Sequence, residues 1–257
     1  MKDRLWELKQ AADGGGLELY IYGDVEGRTF DWENWRYVTS ENSAQHFRKE
    51  LAKYPDAKRI DIYINSYGGD VFEGTAIYNQ LKRHQARKVV HVDGFACSIA
   101  SVIAMAGDEV IMPRNTLMMI HNMWMFVCGN AAELRKAADD LDVINTAGRQ
   151  AYLQKAGDKL PEDQLAEMMD AETWLTAERC VELGLADRLA DEDADMSGAA
   201  AILQKVNASM EQRLQYQKVL AAQLRDLANV PAPGATPEAN PQGGGNPDKN
   251  KVLSLFA

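Results

Sequence analysis

The chain has 257 residues, 46% of them hydrophobic, which suits one large domain, or one domain with an appendage, and a sizeable core. Its formal net charge of -10 excludes general nucleic-acid binding, because neutralising phosphates takes clustered Lys and Arg and no basic stripe is present. No apolar run approaches the roughly 20 residues that span a bilayer, the N-terminus MKDRLWELKQAADGGG lacks the apolar stretch of a secretory signal, and the three cysteines Cys97, Cys128 and Cys180 have no metal-ligand spacing, so a soluble cytoplasmic protein with reduced thiols is expected.

Taken in chain order, LELYIYG (17–23) alternates as a strand does and ends on glycine. A polar loop carrying aromatics follows, then SENSAQHFRKELAKY (40–54) predicts a helix with Ser40 or Asn42 as its cap. RIDIYINS (59–66) is a second strand and FEGTAIYNQLKRH (72–84) a second helix. Strand KVVHVDG, helix SIASVIAMAG and strands EVIMP and TLMMIH continue the rhythm. Alternating strands and helices with short connections argue for an α/β domain. The near-continuous apolar strands predict burial on both sheet faces.

From Asn130 to about Ala156 the sequence predicts one long helix, with Leu134, Ala138, Leu141, Ile144 and Ala147 or Gly148 as a packing stripe. A further helix follows Pro161, and a short one is expected to be capped by Thr176 and ended by Gly184. Composition changes after Asp191. The expected organisation is an N-terminal segment (1–15), a main domain (16–190), a helical extension (191–230) and a tail (231–257). Residues 231–251 hold five of the eight prolines and four glycines, a composition that cannot offset its ordering entropy, so a disordered tail is expected, ending in the apolar VLSLFA.

Three stretches carry candidate chemistry. In INSYGGDVFEG (64–74), Gly68-Gly69 sit between strand and helix, where paired glycines let backbone amides approach a ligand. A tight βα turn explains them equally well. Ser98, in DGFACSIASVIAMAG, reads first as a helix cap. Its small neighbours Ala96, Cys97 and Ala100 also permit the close approach a nucleophile needs, with a base and oxyanion-holding amides nearby. His91, in mid-strand, and His121, closing LMMI, are both candidate bases, and spacing does not separate them. The residues alone therefore reach a serine hydrolase and no further.

Taken together, YINSYGGDVFEGTAIYNQL, DGFACSIASVIAMAGDEVIMPRNTLMMIHN and AETWLTAERCVELGLAD resemble the Clp protease proteolytic-subunit family, most closely its phage branch, the ClpP-like head maturation (prohead) proteases. The resemblance covers roughly residues 16–190. It implies an α/β fold of the ClpP/crotonase type, a βαβ spiral with a protruding handle helix, here the helix from Asn130. It implies a triad with Ser98 as nucleophile and His121 as base, and it puts the acid at Glu172, just before Trp174-Leu175-Thr176-Ala177. The family usually has Asp there, and Asp170 is the rival. Gly69 and Ile99 would supply oxyanion amides, with Gly68 shaping the turn.

The implied activity is ATP-independent serine endopeptidase cleavage of capsid or scaffold polypeptides by a ring-forming homo-oligomer, in the host cytoplasm or within the prohead, without cofactor, metal, nucleic acid or membrane. The stretch NMWMFVCGN (122–130) departs from the family's Pro-rich or Gly-rich loop. Two other classes fit the residues less fully: a crotonase-like acyl-CoA enzyme and a non-catalytic capsid assembly protein.

Overall fold

The computed structural model describes residues 6–10, 16–31 and 34–194. The expected extension after residue 194 and the tail, like the VLSLFA terminus, lie outside them. β1 (Trp6–Gln10), for which the sequence reading has no counterpart, pairs antiparallel with β2 (Leu17–Val25). The loop expected after β2 holds a hairpin instead, β3 (Arg28–Asp31) and β4 (Arg36–Thr39). Helix α1 (Ala44–Leu51) is capped by neither Ser40 nor Asn42: Ser43 Oγ accepts the His46 N–H at 3.1 Å. Ser40 and Asn42 bind upstream instead, Ser40 Oγ donating to Glu26 at 3.1 Å and Asn42 Nδ2 to the Asp24 carbonyl at 2.9 Å.

The central run is β5 (Arg59–Gly69), α2 (Val71–Arg83), β6 (Arg87–Cys97), α3 (Ile99–Ala104), β7 (Glu109–Met112) and β8 (Leu117–Ile120). Helix α4 (Ala131–Ala156), α5 (Glu162–Asp170), β9 (Thr173–Thr176), α6 (Ala177–Glu182) and β10 (Arg188–Leu189) complete the domain. The main sheet runs β1-β2-β5-β6-β7-β10, mostly parallel. β6 changes partner along its length. Val89–His91 pair with β7, and Phe95–Cys97 pair with β8, which in turn pairs antiparallel with β9.

Burial on both faces holds for β6, β7 and β8. β2 and β5 alternate, with Leu19, Ile21, Ile60, Ile62 and Ile64 buried. Phe47, Leu51, Ile77, Leu81 and Ile103 of the helices join these in one core. The intervening Tyr20, Tyr63 and His91 are half-buried on the opposite face and stack in a column, ring centroids 4.8 and 4.9 Å apart. The helices cover one side of these strands, and the aromatic rings shield the other.

Helix α4 opens on a capping box between Asn130 and Glu133. The expected packing stripe is corrected: Leu134 and Ala138 are exposed, and burial within α4 comes only at Asn145, Ala151, Tyr152 and Ala156. The first half of the helix projects from the domain and the second half seats it, as the handle resemblance implied. Thr176 caps α6 by accepting from Arg179 N–H at 3.3 Å, and Gly184, at φ +74°, follows its end.

Candidate active site

Strand pairing brings the separate motifs to one edge. Ser66 of β5 pairs with Ala96 of β6, so Gly68-Gly69 and Ser98 leave the sheet side by side. Cys97 pairs with Met119 of β8, so Ser98 and His121 emerge from adjacent parallel strands, which lie about 4.8 Å apart. β8 and β9 end their antiparallel pairing on Ile120 opposite Thr173, and the next residues outward are His121 and Glu172. The carboxyl ends of parallel strands form a crevice where α/β proteins bind ligands.

Ser98 is not a helix cap. Its hydroxyl makes no capping bond to α3 and lies 2.7 Å from His121 Nε2. The backbone has φ +54° and ψ -130°, a conformation that costs a non-glycine residue about 1–3 kcal/mol and persists only where its surroundings impose it. They do so here: the Ser98 N–H donates to the Met119 carbonyl at 2.9 Å, and its carbonyl accepts the Ser101 N–H at 3.0 Å. Among the described residues, three non-glycine positions have positive φ, and two of them, Ser98 and Glu172, are at this edge.

The glycine turn fits against the serine. Gly68 has φ +105°, and a Cβ there would stand 2.7 Å from Ser98 Cβ and 3.2 Å from the Ile99 nitrogen. Gly69 has φ +141°, and a Cβ there would collide with the Val25 carbonyl. Both positions need glycine for conformation and for space. The Gly68 N–H is committed to Ser66 Oγ at 3.1 Å. Ile99, the first residue of α3, has a main-chain N–H beyond the reach of intrahelical bonding.

His121 is nearly buried, whereas Ser98 is partly open to solvent. Of the two candidate bases left open by spacing, His91 faces away: its Nε2 is 3.2 Å from Asp61 on the far side of the sheet. Of the two candidate acids, exposed Asp170 at the end of α5 accepts a hydrogen bond from Asn122 Nδ2. Glu172 is half-buried, with its N–H on the Met169 carbonyl at 3.2 Å.

Residues 38–193 match the Clp protease family, a span that takes in every residue of this edge. The chain belongs to the Clp protease family. That family is one of serine-type peptidases whose members are named proteolytic subunits. The chain is 30% identical over 145 residues to ATP-dependent Clp protease proteolytic subunit 3 of Rhodococcus jostii, covering 55% of this chain and 71% of that protein. It is 28% identical over 144 residues to the proteolytic subunit of Deinococcus radiodurans, covering 55% and 69%, and 30% identical over 145 residues to that of Pleurastrum terricola, covering 55% and 72%.

Two features of this Clp protease domain are not evident in its motifs. Asn145 is buried on α4, and its Oδ1 accepts the Met123 N–H at 2.8 Å, tying the segment after His121 to the helix. The only hint in the sequence is an amide side chain one residue after Ile144 of the expected stripe. Cys97, adjacent to Ser98, is fully buried beside Phe95 and Met119. Burial pushes its thiol, and that of Cys180, up to about 12.

At pH 8 roughly one part in 10⁴ of such a thiol is thiolate, too little for ready alkylation. Iodoacetamide is therefore expected to modify exposed Cys128 in the native protein, spare Cys97 and Cys180, and leave catalysis intact. Mass mapping of native and unfolded samples checks this. Alkylation of native Cys97 accompanied by inactivation would point to the wrong nucleophile.

Proposed function

We propose that this chain is an ATP-independent serine endopeptidase of phage head maturation, cutting capsid or scaffold polypeptide. One observation carries the peptidase reading: a strained serine presents its hydroxyl 2.7 Å from a histidine nitrogen beside a double-glycine turn. His121 takes the Ser98 proton at Nε2 as Oγ attacks the peptide carbonyl, then returns it to the leaving amine. Its other ring nitrogen then carries a proton, and Glu172 is the carboxylate that orients it. The Gly69 and Ile99 amides hold the tetrahedral oxyanion, with Gly68 keeping the approach clear.

Substrate adds as an extended strand beside Gly68-Gly69, because backbone pairing lets one cleft take many sequences. An adjoining groove of about 600 Å³, lined in part by Val71, Val102, Met123 and Ile144, suits an apolar substrate side chain. A ring of copies is supported by apolar surface that one chain leaves open. Trp124, Met125, Phe126 and Val127 are each at least 40% exposed, next to the projecting half of α4. Contiguous exposed apolar residues of this kind mark contact surfaces. The phage assignment rests on the motif resemblance and on residues 194–257, which extend past the Clp match and suit a capsid-directed tail.

Fluorophosphonate treatment followed by peptide mapping tests the chemistry, and co-expression with capsid and scaffold polypeptides tests the substrate. A single adduct on Ser98 and cleaved capsid or scaffold chains are expected. An unlabelled Ser98 together with saturable acyl-CoA binding would favour an acyl-CoA enzyme. Labelling without cleavage of either head polypeptide would overturn the phage assignment and leave the peptidase.

A further inference from the structure

Behind the nucleophile lies a buried chain of hydroxyls. Ser101, one turn into α3 and inaccessible to solvent, places its Oγ 2.6 Å from the Ser98 carbonyl oxygen. The same Oγ is 2.6 Å from the phenolic oxygen of Tyr152, a buried residue in the last turns of α4. A hydroxyl carries one proton, and a carbonyl oxygen only accepts. The Ser101 proton is therefore committed to Ser98, and Tyr152 must be the donor to Ser101. The bonds run one way, from Tyr152 O–H to Ser101 O–H to Ser98 C=O. Burial pushes the Tyr152 phenol above its ordinary range, which favours the protonated, donating form.

The acceptor at the end of this chain is the carbonyl of the residue at φ +54°. That carbonyl and the Ile99 N–H are the two ends of one peptide group, so turning the group would carry the Ile99 amide away from the oxyanion position. The Ser101 N–H supplies one bond to that carbonyl, and the relay supplies a second, strengthened by the hydroxyl behind it. We propose that Ser101 and Tyr152 are positioning residues, which hold the Ser98–Ile99 peptide in the orientation that points the Ile99 N–H at the oxyanion. Tyr152 belongs to α4, so the same bonds make the aim of the oxyanion amide depend on how the last turns of that helix are seated.

This inference rests on the peptidase reading, and its test separates the two. Second-order acylation of Ser98 by a fluorophosphonate, with kcat and KM on a fluorogenic peptide, is measured for the full chain and for Tyr152→Phe, Ser101→Ala and the double variant. Tyr152→Phe keeps the ring and removes only the donor. It is expected to lower acylation and kcat by about 10-fold with KM within about 2-fold, and Ser101→Ala by about 100-fold, the scale of a weakened oxyanion donor.

The double variant should be no slower than Ser101→Ala, because Tyr152 acts only through the intervening hydroxyl. A purely structural role predicts effects that multiply and that follow loss of folded protein, which circular dichroism reads separately. Wild-type acylation and kcat in a folded Tyr152→Phe variant, or multiplying effects, would overturn the relay alone. An unlabelled wild type would overturn the peptidase reading and the relay with it. Should Tyr152→Phe not fold, Ser101→Ala decides: full activity there overturns the relay, and loss of kcat at constant KM supports it.

Discussion

Ser98→Ala is expected to abolish peptide hydrolysis while the protein still folds. Ser98 contributes little to the core: its side chain is partly exposed, and its one bond runs to His121. Its φ of +54° is no worse for alanine than for serine. Losing one such hydrogen bond costs about 1 kcal/mol of stability. The kinetic effect is of another size. Without a nucleophile, only oxyanion stabilisation and binding remain, and the rate falls roughly 10⁶-fold. Hydrolysis of a fluorogenic peptide, covalent labelling and thermal unfolding measured on one preparation check all three statements. Retained hydrolysis in a clean Ser98→Ala preparation would end the serine-peptidase reading, whatever the fold resembles.

The second large effect concerns the acid. Glu172→Gln should lower kcat by about 10⁴-fold, the loss seen when a triad carboxylate becomes an amide and the imidazole takes the wrong tautomer. Asp170→Asn should change kcat by less than about 3-fold, because that carboxylate is exposed and engaged with Asn122 Nδ2, a neutral donor that an amide oxygen also accepts. The physical basis is strand pairing. β8 and β9 stop at Ile120 and Thr173, leaving His121 and Glu172 as the next pair outward, whereas Asp170 belongs to helix α5. The pH–rate profile is the discriminating measurement. Glu172→Gln should move the limb governed by His121, and Asp170→Asn should leave it in place. The reverse pattern would transfer the acid's role to Asp170.

Much of the fold is legible in the residues because each element satisfies a local rule. Gly68-Gly69 closes a strand, a long helix opens at Asn130 and runs to Ala156, and Thr176 and Gly184 bracket α6. Such signals depend on neighbours within a few positions. The misreadings have the opposite character. Arg28–Asp31 and Arg36–Thr39 pair antiparallel with each other, and no apolar period announces these two short strands. Leu134 and Ala138 have helical spacing yet face solvent, because spacing states which residues share a face and not whether anything packs there. The burial on both faces expected of the apolar strands fails at β2 and β5, where the alternate residues Tyr20 and Tyr63 line a face that, among the described residues, the helices do not cover.

The candidate site divides in the same way. From the chain alone one reads a serine among small residues at a strand-to-helix junction, a histidine ending an apolar strand, and a glycine pair at a third strand end. These are local facts of composition and spacing. The motif resemblance already puts the base at His121, but spacing does not separate it from His91; the physical reason is the pairing of β6 with β8, which puts one imidazole beside Ser98 and leaves the other bonded to Asp61 across the sheet. Release of Ser98 from capping took a backbone held at positive φ by contacts from β8 and α3. The hydroxyl chain through Ser101 and Tyr152, 51 positions apart, has no trace in sequence at all. Strand register and long-range hydrogen bonds join residues that are distant along the chain, and local periodicity carries no information about which distant partners meet.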